Sequence, residues 1–307
     1  MNSLITKFLA GVKADVKGTI AKSILYVLRI IGDGIADGFY VLMKIILFPV
    51  PSRTLTRLKH GLSPKTRLDY DRHPINLQAD SLVDLYRARA CEKEPETVQW
   101  IETYVHKGDV FYDVGANIGA YSLVACAYCS GEVKILAFEP SFSNFYQLCR
   151  NIILNKFDKS ITPYMIALSK SPGVTVFNYH SLDAGSADHW LGENLPTVSS
   201  DFVYTQQLLA FSMDYLIEHF DFPIPNHIKL DVDGAEIDVL RGAEKTLREH
   251  GVKSILVEVR DVAGMSEQVH EMLLSAGFSL TLKVDRGDSL TWNCVYVRDR
   301  LGVSPCD

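Results

Sequence analysis

The sequence predicts an α/β fold: a mostly parallel sheet with helices on both faces, a last antiparallel strand, and a helical extension in front. Three observations predict it. From residue 110 onward, short β-type runs alternate with helical runs. The last two β runs are separated only by Asp285-Arg286-Gly287-Asp288, a hairpin turn. The first β run passes directly into a turn with two glycines and then into a helix, which in an open parallel sheet marks where a ligand binds.

The extension comes first. Ile5, Phe8, Leu9, Val12 and Val16 recur at helical spacing, and two further apolar runs, 24–31 and 39–50, carry Arg29 and Lys44. None reaches the roughly 18–20 uninterrupted apolar residues of a spanning helix. Nor does the start have the layout of a secretory signal, and six cysteines in so long a chain make no disulfide scaffold, so a reducing, cytoplasmic setting is expected. Pro49 and Pro51 end the pattern, and 53–67 reads as a basic linker. Residues 1–67 hold 11 Lys+Arg against 3 Asp+Glu, a net of +8 on a chain whose total is −6. Two readings of this arm compete. Its helices lie on an anionic membrane surface at the inner face of a membrane, through residues 1–50, or they pack on the main domain or a second subunit.

The body, 68–307 with a core of about 94–298, is acidic. It offers no basic groove, so no nucleic-acid partner is expected. Periodicity predicts helix over 81–106, then strands at 110–114, 133–138, 161–167, 227–232 and 254–259. Helices fall between them at 120–128, 144–155 and 235–250, and strands at 279–284 and 290–297 close the pattern. The stretch 173–213 fits none of this and reads as a hairpin or loop inserted over the sheet edge. Cys126 and Cys129 stand at i,i+3 in an apolar helical run with no second ligand pair, which favours small core residues over a redox or metal pair. No metal site is expected.

The chemistry concentrates in Asp113-Val-Gly115-Ala-Asn117-Ile-Gly119 and in Glu139, twenty residues beyond Gly119 at the end of the next strand. An acid there accepts both hydroxyls of a ribose. The first motif departs from G-x-G-x-x-G: Asn117 takes the middle slot and Asp113 precedes the first glycine. An acid at that strand end repels a pyrophosphate but suits a cation. The implied ligand is a ribonucleoside with a positively charged tail, S-adenosylmethionine.

A second acidic motif, Lys229-Leu-Asp231-Val-Asp233-Gly-Ala-Glu236, ends the fourth strand at the same face. Asp231 and Asp233 are candidate bases for a hydroxyl nucleophile. Asp233 with Glu236 also matches a D-x-x-E capping box, which needs no catalysis. Lys229 alternates with Asp231 and is a catalytic or a structural partner for an acid. Glu258 and Asn293 are further candidates facing the pocket. His180 and His189 flank a polar loop, 181–188, read either as a gate or as a solvated loop.

These segments, with Phe138-Glu-Pro140, Ile166-Ala-Leu-Ser169 and the lead-in Glu94-Pro-Glu-Thr97, resemble the FkbM-type S-adenosylmethionine-dependent methyltransferases over about 94–298. The resemblance implies a class I methyltransferase fold: a Rossmann-like, doubly wound sheet of seven strands, the last antiparallel. It implies Asp113, Gly115, Asn117 and Gly119 at the methionine end of the cofactor, Glu139 at the ribose, and Ile166 and Ala167 near the adenine. It also implies O-methylation of a sugar, glycan or polar natural product. N-methylation of a protein or amine, and a membrane-surface scaffold with a vestigial fold, are the alternatives.

Overall fold

The computed structural model describes residues 52–61, 64–192, 201–249, 251–260, 264–287 and 290–298. The chain forms two units, Met1–Ser63 and Pro64–Asp307. In the first, helix α1 occupies Ser52–Gly61. The expected linker over 53–67 is therefore regular structure: this helix, then strand β1 (Lys65–Arg67), which pairs antiparallel with β2 (Asn76–Gln78). Both readings of residues 1–50 lie outside the described residues. No described helix is long and apolar enough to cross a membrane.

The second unit places three short helices before its main sheet: α2 (Leu82–Arg87), α3 (Ala90–Lys93) and α4 (Pro95–Tyr104). Ser81 and Asp84 form a reciprocal capping box at the start of α2. Arg89 and Glu94 leave helical geometry between the three, and Pro95 opens α4 from its first turn, where a missing N–H costs nothing. The single periodic stretch thus becomes three segments.

The chain continues through β3 (Val110–Val114), α5 (Ala120–Tyr128), β4 (Lys134–Phe138), α6 (Phe142–Asn155) and β5 (Ile161–Tyr164). It then builds β6 (Ala167–Leu168), β7 (Gly173–Tyr179), β8 (Trp190–Leu191) and β9 (Tyr204–Phe211). After α7 (Met213–Phe220) come β10 (His227–Leu230), α8 (Glu236–Arg241), α9 (Glu244–Arg248), β11 (Ser254–Arg260), α10 (Met265–Ser275), β12 (Phe278–Asp285) and β13 (Thr291–Arg298).

The main sheet has seven strands in the order β12-β13-β11-β10-β3-β4-β5. All neighbours pair in parallel except β13, which runs antiparallel between β11 and β12. This is the class I methyltransferase order, and the expected antiparallel strand is present. The switch point lies between β3 and β10, where the chain winds outward in both directions.

Strand parity divides the core. Phe111, Ile135, Ala137 and Leu256 pack on one face with Trp100, Leu123 and Leu148. Tyr112, Val114, Leu136, Phe138, Ile228 and Leu230 pack on the other with Leu216, Val239 and Leu273. Covering both faces explains why these strands read as continuous apolar runs. Cys126 and Cys129 are free, buried thiols in the first core, and burial pushes both up to about 11.

Two expectations are corrected. The third strand ends at Tyr164, and Ala167 belongs to a separate four-stranded sheet, β6-β9-β7-β8, which the inserted region builds around a long β7–β9 hairpin. The helix expected over 235–250 is broken at Gly242. There a Cβ would lie 2.1 Å from the Ser169 carbonyl oxygen, and the Gly242 carbonyl accepts from Asp214 N–H instead of continuing a helix.

Candidate active site

A cavity of about 260 Å³ opens at the carboxyl ends of β3, β4 and β10. Gly115, Asn117, Glu139 and Ala167 line one half of it; Lys229, Asp231, Asp233 and Glu258 line the other. The turn after β3 allows the two halves to meet. Gly115 has φ +80°, and a Cβ on it would sit 1.7 Å from the Asp231 carbonyl oxygen, so only glycine lets the ends of β3 and β10 close up. Asn117 also takes positive φ, 51°, which turns its N–H toward β4.

Glu139, 4% exposed, is gripped at both oxygens. The backbone N–H of Asn117 donates to Oε2 at 2.7 Å and that of Ser141 to Oε1 at 2.9 Å. Each oxygen keeps a lone pair for a ligand. Burial pushes its pKa up to about 7, against the pull of those donors.

The opposite half is organised by Lys229. The register of β10 on β3 sets Lys229 beside Asp113, and both are fully buried. The Lys229 ammonium donates to Asp231 Oδ2 at 2.9 Å, lies 4.0 Å from Asp113 Oδ1, and sits 5.2 Å from the centre of the Tyr121 ring. Burial alone would lower its pKa, but the charges of Asp231, Asp113 and Glu94 raise it, so Lys229 stays protonated. Burial likewise opposes ionisation of Asp231, yet Lys229 holds that carboxyl below the usual range.

Asp233 is open to solvent at the rim. Desolvation and the neighbouring charges of Asp231, Asp188 and Glu236 push it up to about 7, a rise that rim solvent tempers. Glu258, pushed up to about 8 by burial and then by Asp231 and Glu94, is tied to Arg286 at 3.2 Å.

Four site expectations change. Asp113 is absent from the cavity lining; it is 1% exposed and accepts from Ser122 Oγ of α5 at 2.6 Å. It shares a face with Phe111 and lies beneath α5, where Ser122 meets its carboxylate, whereas the longer Lys229 on the same face reaches the cavity. Gly119 does not line the cavity either. It caps α5 at φ +89°, and a Cβ there would lie 2.4 Å from Leu148, so its smallness serves the packing of α6. Asp233 is not a helix cap: α8 begins after Ala235 without a side-chain cap, and the Asp233 carboxylate accepts from Asp188 N–H at 3.0 Å. Glu236 still folds back, accepting from Gly234 N–H at 3.1 Å.

Asn293 is buried outside the cavity and donates to Glu96. The loop between the histidines is solvated only in part: Leu182, Asp183 and Asp188 are exposed and Gly185 is buried. Ser186 O accepts from both Asn117 and Asn144 side chains, Gly185 N–H donates to Asn144, and Arg87 donates to Gly185 O, so 185–189 is strapped along the cavity. His189 lines it and accepts from His180 N–H.

Sequence reasoning missed Arg87, Glu94 and Asp188 as cavity residues, together with Arg286, whose guanidinium bonds Glu94 at 2.6 Å and Glu258. No local spacing announces them. Glu94 did stand in the quoted Glu94–Thr97 segment, but only the packing of α3 and α4 on the β11–β13 edge brings it to the cavity.

A family model for the methyltransferase FkbM domain matches residues 113–280, more than half of the chain. The chain belongs to the FkbM methyltransferase family. Over 195 residues it is 28% identical to the hexuronic acid methyltransferase AglP of Haloferax volcanii, covering 64% of this chain and 73% of that one. It is 29% identical over 193 residues to the methyltransferase sdnD of Sordaria araneosa, covering 55% and 73% respectively. Among solved structures, an FkbM methyltransferase from Methylobacillus flagellatus KT matches 70% of this chain and 52% of its own, about half its length, at 17% identity and a TM-score of 0.45. The protein is a methyltransferase.

Proposed function

We propose that this methyltransferase uses S-adenosylmethionine and methylates a hydroxyl of a sugar or glycan. The observation that carries the reading is the grip on Glu139. A carboxylate fixed by one backbone N–H per oxygen presents its two remaining lone pairs side by side, which matches the cis-diol of a ribose. Ile166, Ala167, Leu168 and Phe177 offer an apolar end for a base beyond it, and Asp231 with Glu94 gives the other end the negative wall a sulfonium and an ammonium need. These features support a nucleoside with a cationic tail as the ligand.

When bound, the cofactor supplies an electrophilic methyl group on a sulfonium. The chain supplies alignment and a destination for a proton. A sugar hydroxyl is a weak nucleophile until its proton begins to leave. Asp233 takes this role: it stands at the open rim, where an acceptor arrives, and partial desolvation with the charges of Asp231, Asp188 and Glu236 raises its pKa above the usual carboxylate value, so it is basic enough to hold the proton. Asp231, committed to Lys229 and held strongly ionised, balances positive charge instead. Lys229, already protonated, is no base; it aims Asp231. The sugar acceptor is supported by the likeness to a hexuronic acid methyltransferase.

Calorimetry with S-adenosylhomocysteine on wild type and Glu139→Gln tests the core of this reading. Losing one charged acceptor should weaken binding about 10- to 150-fold. Protonation removes the same acceptor, so wild-type affinity should fall as the pH drops through about 7 while the variant stays flat. Equal binding by both proteins would sink the ribose assignment.

A further inference from the structure

The cavity wall is predominantly acidic, and two of its three cations, Arg87 and Lys93, make no hydrogen bond or ion pair to Asp231 or Asp233 among the described residues, although their charges help to keep Asp231 ionised. Lys229 is consumed by Asp231 and Asp113. Arg87, the last residue of α2, donates from Nε to Gly185 O at 2.7 Å, and its two terminal nitrogens have no hydrogen bond or ion pair among the described residues. Lys93 stands close by on α3, half-open to solvent, 3.6 Å from Glu94 and over the ring of Tyr86 at 5.6 Å. All three residues line the cavity. A guanidinium held at Nε, with its outer edge free, is a preset fork for a planar anion.

We propose that Arg87, supported by Lys93, binds the carboxylate of an acidic sugar, so that the acceptor is a uronic acid rather than a neutral saccharide. The inference rests on the reading of this site as a sugar O-methyltransferase and names its substrate class. The two carboxylates within reach are that of the acceptor and that of the cofactor's methionine. The loop favours the acceptor. Arg87 packs along Gly185, and three residues on, Asp188 N–H binds the carboxylate of Asp233. The free guanidinium edge and the proposed base are thus joined by one short strap, on the side where a hydroxyl must approach. A pyranose with its carboxylate on Arg87 would lie along the same strap that holds Asp233. Tyr86, 58% exposed beside them, provides an aromatic surface for the ring's C–H face.

The test uses the full chain with labelled S-adenosylmethionine and two families of probe: glucuronate- and galacturonate-terminated oligosaccharides, and the same compounds with the carboxyl reduced to the alcohol. Wild type should favour a uronate-terminated probe by tenfold or more in kcat/KM. Arg87→Gln should lose that preference through KM more than kcat, the acidic probe falling at least tenfold further than the reduced one, which also weakens because the bond from Nε to Gly185 O is lost; Arg87→Lys should retain part of the preference, and Lys93→Gln should lose a smaller part. S-adenosylhomocysteine affinity should fall far less than use of the uronate in all three, and its retention shows that the variants fold. The proposal is overturned if wild type uses reduced and acidic probes alike, or if it methylates neither. It is equally overturned if Arg87→Gln weakens S-adenosylhomocysteine as much as the uronate, since the arginine then serves the cofactor. Failure of wild type to bind S-adenosylhomocysteine at all would strike the earlier cofactor reading, a result the binding arm separates from the others.

Discussion

The two halves of the cavity hold their acids by different means. At the tip of β4, Glu139 is fixed by main-chain N–H groups from Asn117 and Ser141, which no side-chain substitution removes. At the tip of β10, Asp231 is fixed by a single buried lysine, and Asp233 by one N–H from a loop. The backbone-held half suits a ligand that never changes. The half built from side chains can be retuned one residue at a time, and it is the half that meets the acceptor. Breaking each kind of support should therefore have different consequences.

The largest effect is expected from Asp231→Asn. It leaves the Lys229 ammonium 2% exposed, with Asp113 4.0 Å away as its remaining acid. Removing one partner of a buried pair costs about 3–5 kcal/mol. Denaturant unfolding should show that loss, and methyl transfer should fall with it. If Asp231→Asn is as stable as wild type, Lys229 is not held as described. Glu139→Gln, by contrast, should cost binding without a comparable loss of stability.

Asp233→Asn comes next. Its hydrogen bond from Asp188 survives in an amide, so the fold should persist while kcat drops about 10²- to 10⁴-fold, the usual worth of a general base. Because the pKa of Asp233 is raised, the wild-type rate should climb with pH through about 7. Stability should run the opposite way. A carboxyl with a raised folded pKa binds its proton more tightly in the folded state, so its contribution is complete at low pH and is lost as pH rises through the folded value. At saturating cofactor the variant should lack the rise in kcat, and its stability should fall less steeply with pH than wild type, the remainder coming from Glu139 and Glu258. A kcat within a few-fold of wild type would remove Asp233 from the mechanism.

Much of this arrangement was legible in the sequence, and the exceptions share a cause. Alternating β and helical runs predicted the parallel sheet, and the turn between Val284 and Leu290 predicted its antiparallel strand, because both follow from local periodicity. Glu139 was legible as well, since its place at the end of a strand twenty residues beyond the glycine turn is a local relation. Asp113 was misread because position along a strand says which end a residue occupies, not which face it takes. Its parity with Phe111 and a serine nine residues on, Ser122, were the available signals. The capping reading of Asp233 failed because the residue takes a left-handed φ of 51° and the helix begins later. Arg87 and Asp188 reach the cavity, and Arg286 reaches Glu94 and Glu258 behind its wall, through tertiary contacts between distant segments, which no spacing encodes.

The smallest expected effect tests that parity argument most directly. Ser122 donates to Asp113 at 2.6 Å beneath α5, and both are buried outside the cavity lining. Ser122→Ala leaves a buried carboxylate oxygen without its donor, which should cost about 1–3 kcal/mol of stability. Because Asp113 acts on the site only by helping to hold Lys229 and so Asp231, affinity for S-adenosylhomocysteine should change less than twofold. Were Asp113 instead a direct partner of the cofactor, freeing it from Ser122 would let its carboxylate reorient and shift that affinity severalfold. Paired unfolding and binding measurements on this one variant therefore distinguish an acid that supports the site from below from one that lies within it.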